Sequence, residues 1–307
     1  MSDRSSEHSR ATRRVFLLFV DGVGVGPADP SINPLASGSF PAMELTVGAR
    51  PRSKTAGEAA MAHGIDASLG VPGLPQSATG QTALLTGVNA PSALGHHASG
   101  LPGPTLKRIL SEHSLLKRLA ESGRRVSFLN AFGPRFFDAA EPVRRLSATT
   151  LATLASGTAL RDWKDLSEAR AVTHDLTHWR MRDYGFDLPP RSPGEAGAIL
   201  AREAMKLDFS MFEYFETDRA GHAQDRAGAE RCLGDLNAAL EAILEGMDLK
   251  ESVVLVASDH GNMEDERVKT HTMNPAFFAA WGALDSVAPP TSLLDIAPLI
   301  SGIISGA

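Results

Sequence analysis

The stretch Arg14-Val15-Phe16-Leu17-Leu18-Phe19-Val20-Asp21-Gly22-Val23-Gly24 sets the fold class. From Val15 to Val20 the run is continuously apolar and rich in β-formers. A strand without polar alternation is covered on both faces, as in a parallel sheet flanked by helices. The run stops at a carboxylate inside a glycine-rich turn, where the chain can reverse sharply. Two later runs repeat the arrangement. Residues 209–215 lead into Glu216-Thr217-Asp218-Arg219-Ala220-Gly221-His222, and residues 252–257 lead into Ser258-Asp259-His260-Gly261-Asn262. Helical patterns separate these strands. One starts at Ser192-Pro193-Gly194-Glu195 and runs to about residue 206, with a serine cap, proline in the first turn and an acidic first turn. Another covers residues 225–247, with Leu233, Leu236, Leu240, Ile243, Leu244 and Met247 as its core stripe. The chain therefore reads as α/β with a mostly parallel sheet.

Further elements follow from local pattern. Short helices are expected over residues 55–63 and 78–86, and an amphipathic helix over 111–122. A strand is expected over 125–130, a last strand over 276–281 and a closing helix over 293–304. Residues 135–193 are the least regular part, with short helical pieces at 148–154, 166–169 and 175–182 between prolines and glycines. They read as a small insertion or lid. Residues 1–13 read as a disordered tail, and 14–307 as one domain.

With 43% hydrophobic and 21% charged residues among 307, a packed core is expected. The net charge of −6 argues against nucleic-acid binding by bulk electrostatics. Cys232 is the single cysteine, so no internal disulfide or thiolate cluster can form. No apolar run approaches the roughly 20 residues of a membrane span, and no signal-peptide core is evident. The expectation is a cytoplasmic protein with no membrane partner.

Acid and imidazole groups recur directly after the strands: Asp21, Asp218 with His222, and Asp259 with His260. In an open parallel sheet functional groups gather outside the carboxyl ends of the strands. Asp218 and His222 are four residues apart, the spacing that places two side chains on one helical face. Asp and His suit Mn²⁺, Zn²⁺ or Mg²⁺, with the histidines favouring Mn²⁺ or Zn²⁺. Taken singly, each group also reads as a cap or a satisfied core histidine. Ser77, in Gln76-Ser77-Ala78-Thr79-Gly80-Gln81, falls at the start of the 78–86 helix. There it can be an N-cap, or a nucleophile whose charge is held by unpaired amides.

The motifs Phe19-Val20-Asp21-Gly22-Val23-Gly24, Gln76-Ser77-Ala78-Thr79-Gly80-Gln81, Asp218-Arg219-Ala220-Gly221-His222, Ser258-Asp259-His260-Gly261-Asn262 and His271-Thr272-Met273-Asn274-Pro275 together resemble the alkaline phosphatase superfamily. The resemblance is strongest to its cofactor-independent phosphoglycerate mutase and phosphopentomutase branch, and Leu293-Leu294-Asp295-Ile296-Ala297-Pro298 resembles that branch's closing helix. It implies a three-layer sandwich and two divalent metals. Asp21, Ser77, Asp259 and His260 would surround one, and Asp218, His222 and His271 the other. Ser77 would accept the phosphoryl group.

Two departures from the mutases bear on the reaction. Little chain beyond 135–193 is left for the mutases' large substrate-gripping domain, and Ala78-Thr79-Gly80-Gln81 lacks their acidic or histidine residues after the nucleophile. These favour a phosphohydrolase acting on a small phosphorylated metabolite. The alternatives are a phosphomutase and a metal-binding protein without turnover. Substrate contacts are expected from His97, Arg135, Arg144 and Asn33. For Arg135, Arg144 and Arg145 the alternative is a solvated basic edge, and for Asn33 a turn. His174 and His178, four apart, have a spacing that could bind metal, but with no third ligand nearby they read as an exposed helix face, and Cys232 reads as core.

Overall fold

The computed structural model describes residues 13–138, 146–284 and 287–306. Six strands form the central sheet: β1 (Arg14–Val20), β4 (Met61–Ile65), β5 (Val126–Phe128), β6 (Phe209–Tyr214), β7 (Ser252–Ala257) and β8 (Ala276–Gly282). A separate ribbon pairs β2 (Arg52–Ser53) with β3 (Gly57–Glu58). The sheet order is β4-β8-β7-β1-β6-β5. β8 runs antiparallel to both neighbours, and the other contacts are parallel. β1 sits centrally, with Leu17 opposite Met211 on one side and Leu255 on the other.

The unbroken hydrophobicity of β1 follows from this position, because its alternate side chains enter two different cores. Val15, Leu17 and Phe19 face one layer, while Phe16, Leu18 and Val20 face the other. The first layer contains α1 (Ser77–Thr86), α2 (Ala90–Leu94), α3 (Pro104–His113), α4 (Leu115–Glu121), α6 (Ala148–Ala155) and α12 (Ile296–Ser305). The second is built on α9 (Pro193–Ala204) and α11 (Arg226–Gly246). The remaining helices, α5 (Pro134–Asp138), α7 (Trp163–Ser167), α8 (Trp179–Asp183) and α10 (Glu216–Ala223), are short and cluster near the sheet's carboxyl edge or in the 135–193 segment. The chain is thus a three-layer α/β fold with a mostly parallel central sheet. Among the described residues no helix is long and apolar enough to cross a membrane.

Several expectations change. Residues 55–63 do not form a helix. They close the β2–β3 ribbon and enter β4, whose Met61 to Ile65 pair with Ala280 to Ala276 of β8. Alanine-rich local propensity is overridden there by a sheet edge that needs a partner. The expected 111–122 helix is two helices broken at Ser114 (φ −51°, ψ 132°). The Ser114 hydroxyl donates to Ala152 O at 3.0 Å and accepts from Lys117 N, so a side-chain bond competes with helix continuation. The expected 293–304 helix opens as a 3₁₀ turn, Leu293–Asp295, capped by Ser292 and Asp295. The expected tail lies outside the described residues except for Arg13. In α9 the Ser192–Glu195 capping box forms as expected.

The second layer depends on a close helix crossing. A Cβ on Gly197 of α9 would overlap the Ala239 carbonyl oxygen of α11 and lie 2.9 Å from Ala242 Cβ. Gly197→Ala should therefore push α9 off α11 and cost about 1–3 kcal/mol, read by urea unfolding. A change within about 0.5 kcal/mol would show that the crossing is adjustable.

Candidate metal centre

Each strand end delivers its carboxylate to the same place. Asp21 follows β1, and its amide donates to Tyr214 O at 2.9 Å, tying it to the end of β6. Asp218 and His222 lie on α10, one helical turn apart and just beyond β6. Asp259 and His260 follow β7, and His271 lies on the loop before β8. Ser77 is the first residue of α1. The helix is preceded by Gln76 in extended geometry, with no side-chain cap, so Ser77 is not spent as an N-cap. Helix α1 reaches this edge because residue 80 is glycine: a Cβ there would lie 2.8 Å from Asp259 O.

The donor atoms fall into two groups. In the first, His260 Nε2 lies 3.0 Å from Ser77 Oγ, 3.3 Å from Asp21 Oδ1 and 3.5 Å from Asp259 Oδ2. In the second, His222 Nε2 lies 3.4 Å from Asp218 Oδ2, and His271 Nε2 lies 3.2 Å from His222 Nε2 and 3.6 Å from Asp218 Oδ1. Tetrahedral donors held at the usual zinc–nitrogen length sit about 3.3 Å apart, so both groups already have cation-sized spacing. The groups adjoin, since the His260 and His271 rings stack at 3.7 Å.

The protein's hydrogen bonds fit a cation here. His271 Nδ1 donates to Pro75 O and His222 Nδ1 to Lys269 O, each at 2.7 Å. A carbonyl only accepts, so each Nδ1 carries a proton and each Nε2 is left facing the other donor atoms. Burial, then the His260 charge, push His271 down to about 4, so its Nε2 stays unprotonated at neutral pH. Asp21 Oδ1 and Asp259 Oδ2 are buried without a hydrogen-bond partner. Such a group costs about 1–3 kcal/mol when nothing satisfies it. Burial and the Asp259 charge push Asp21 up to about 8, and burial likewise raises Asp259. Burial opposes protonation of His260, but Asp259 and Asp21 outweigh it and raise His260 to about 10. Divalent cations would relieve the crowding of the carboxylates and give the Nε2 atoms a partner.

Supporting residues lock this set. Glu264, fully buried, accepts from Gly24 N at 2.7 Å and Asn262 N at 2.8 Å through Oε2. Its Oε1 accepts from Thr272 Oγ1 and from Asn274 Nδ2 at 3.0 Å. One carboxylate thereby joins the loops after β1, after β7 and before β8. Asn262 Nδ2 donates to Asp218 Oδ1 at 2.7 Å, and Gln81 Nε2 to Asp21 Oδ2 at 3.2 Å. Such outer hydrogen bonds orient ligands. Glu264 was not singled out from the sequence, although it stands four residues after His260 in the same glycine-containing turn.

The expected substrate residues are placed less centrally. His97 Nε2 bonds Val71 O at 3.1 Å. Asn33 is fully buried as a turn residue, accepting from Leu35 N and donating to Pro27 O. Arg135 is exposed, with its guanidinium 5.0 Å over the Phe186 ring. Arg144 and Arg145 lie outside the described residues. His174 and His178 are not an exposed helix face. His178 is buried in left-handed geometry and bonds Pro189 O, while His174 stacks on Phe215 and reaches Glu216 at 3.3 Å.

Residues 183–303, which carry three of the site's motifs, match a family model described as Metalloenzyme superfamily. The PH0037 protein of Pyrococcus horikoshii superposes with a TM-score of 0.60 at 14% identity, over 97% of this chain and 98% of that one. Phosphoglycerate mutase of Leishmania mexicana superposes at 0.58 and 10% identity, over 97% and 96%. Alkaline phosphatase of the Antarctic bacterium TAB5 superposes at 0.50 and 14% identity, over 96% and 98%. A comparison with curated protein sequences finds no match. The chain shares the fold of these proteins, residues 183–303 match the metalloenzyme model, and among the described residues Asp21, Asp259 and His260, and Asp218, His260 and His271, are grouped closely enough to hold a metal ion.

Two outcomes check the electrostatics. Mn²⁺ or Zn²⁺ at a hundredfold excess over its dissociation constant should stabilise the fold by about 2.7 kcal/mol, and His271→Ala or Asp259→Asn should reduce that gain. Equal gains in both variants, by thermal unfolding, would place binding elsewhere. Glu213 lines the neighbouring cavity, and burial pushes it up to about 8 despite a hydrogen bond from Thr149. The folded state then holds a proton that the unfolded chain releases, so stability falls as pH rises from about 4.5 towards 8. Glu213→Gln should remove that slope, gaining about 3–4 kcal/mol on wild type between pH 5 and 8. Parallel stability curves would mean Glu213 ionises without penalty.

Proposed function

We propose that the protein is a metal-dependent phosphohydrolase that works through a phosphoserine at Ser77 on a small phosphorylated metabolite. The observation that carries this reading is Ser77 Oγ, uncapped at the first turn of a ten-residue helix and 3.0 Å from a ligand-type imidazole. In this reading Asp21, Ser77, Asp259 and His260 hold one divalent ion and Asp218, His222 and His271 the other, with Mn²⁺ or Zn²⁺ preferred and Mg²⁺ within range. When bound, the ions supply Lewis acidity at the transferring phosphoryl group. Ser77 Oγ forms the new P–O bond while the bond to the alcohol oxygen breaks, and the alcohol leaves with a proton. The first-turn amides of α1 face the negative phosphoryl oxygens. Water then attacks phosphorus, phosphate is released, and Ser77 regains its proton. Asn262 and Gln81 keep the carboxylates in place throughout.

Hydrolysis rather than mutase transfer is supported by the limited chain between α1 and α10. A mutase must retain its organic product for the second transfer. The domain from residue 14 to 307 acts as one unit in this reading, with 135–193 as a small insertion beside the site.

The test is phosphate release from a generic aryl phosphate with Mn²⁺, Zn²⁺, Mg²⁺ or chelator. Ser77→Ala should lower kcat at least about 10³-fold, and acid-quenched wild type should carry phosphate on Ser77 by mass spectrometry. Full activity in Ser77→Ala would exclude the phosphoserine route. Isomerised phosphate without free phosphate would replace hydrolysis with a mutase reaction.

A further inference from the structure

A cavity of about 650 Å³ opens beside Ser77, Asp21 and Asp218. Its apolar lining includes Leu101, Phe128, Phe132, Met181, Tyr184 and Phe215. These come from the loop after α2, from β5 and the loop after it, from the α8 region and from the end of β6. Several polar side chains among the described lining residues are engaged within the protein. Asn130 spends both amide ends on Glu213, accepting from its N–H and donating to its carbonyl. Gln81 is held on Asp21, and Glu213 accepts from Thr149. Ser147 Oγ lies 2.8 Å from Thr150 Oγ1. Arg219 is the one arginine or lysine among those residues. Its Nη1 donates to Tyr184 Oη at 2.8 Å and to Glu216 Oε1 at 3.3 Å, and its guanidinium lies 5.1 Å over Phe215.

We infer that this cavity receives the alcohol portion of the phosphate ester and selects an apolar, preferably aromatic, group there. The inference rests on the phosphoryl-transfer reading. A sugar or a hydroxy acid brings several hydroxyls or a carboxylate, and each would need a free donor or acceptor to replace water. Among the described residues, Leu101, Phe128, Phe132, Met181, Tyr184 and Phe215 instead offer a large apolar lining, and Asn130 has both ends of its amide engaged. An aryl group there gains by leaving water and by contact with ring edges and faces. Volumes of this order accommodate small organic ligands.

The test is calorimetric binding of three non-hydrolysable probes to the full chain loaded with Mn²⁺ or Zn²⁺: methylphosphonate, 2-hydroxyethylphosphonate and 1-naphthylmethylphosphonate. The naphthyl probe should bind about 10–100-fold tighter than methylphosphonate, with no comparable gain for the hydroxyethyl probe. Phe132→Ala should reduce the naphthyl advantage about fivefold or more, and Leu101→Ser, at an exposed rim position, should do so without threatening the fold. Equal affinity of naphthyl and methyl probes, or a preference for the hydroxyethyl probe, would overturn the aromatic selection while leaving phosphoryl transfer standing. Failure of all three probes to bind the metal-loaded protein would overturn both.

Discussion

The organising constraint is the crowding of buried carboxylates and imidazoles where three parallel strands end. Asp21 and Asp259 are held in an interior that raises both, beside a histidine whose charge they stabilise. Two imidazole Nε2 atoms face each other at 3.2 Å while their Nδ1 protons are committed to carbonyl oxygens. A protein interior does not keep such an arrangement for stability alone, since hydrophobic replacement would serve folding better. The architecture makes sense as a rigid socket for divalent cations.

Rigidity comes from the layers beneath. β1 is packed on both faces and bonded on both edges, so the peptide that carries Asp21 has little freedom. Glu264 then ties three site loops together with hydrogen bonds to one carboxylate. Helix α1 closes against Asp259 at a glycine, bringing the Ser77 hydroxyl to His260. The 135–193 segment is not a loosely attached lid at every point. Arg180 forms a double hydrogen bond to Glu216 at 2.8 and 3.0 Å, and His174 approaches the same carboxylate. Glu216 opens α10, the helix that carries Asp218 and His222, so this segment is mechanically connected to the second donor group.

Much of this was legible in the sequence because its causes are local or periodic. Continuous apolar runs marked β1, β6 and β7, and the acid and imidazole residues after them carry the proposed ligands. Ser192 and Glu195 announced the start of α9. Local reading failed where a distant partner decided. Residues 59–62 have helix-forming composition, yet the chain becomes strand from Met61 because β8 presents an edge. Ser114 splits a helix through a bond to Ala152, 38 residues away. His97 and Asn33 have chemistry suited to a site, yet backbone carbonyls and amides claim their side chains.

The sequence by itself determined the α/β class, the strand ends that bear acids and imidazoles, and the serine at a helix start. These follow from hydrophobic period and turn chemistry, which act over a few residues. Tertiary structure alone decided the distances among the donors, the carbonyl partners of the His222 and His271 Nδ1 atoms, the role of Glu264 and the apolar cavity beside Ser77. Each depends on contacts between residues tens to hundreds of positions apart, and no local pattern encodes those distances.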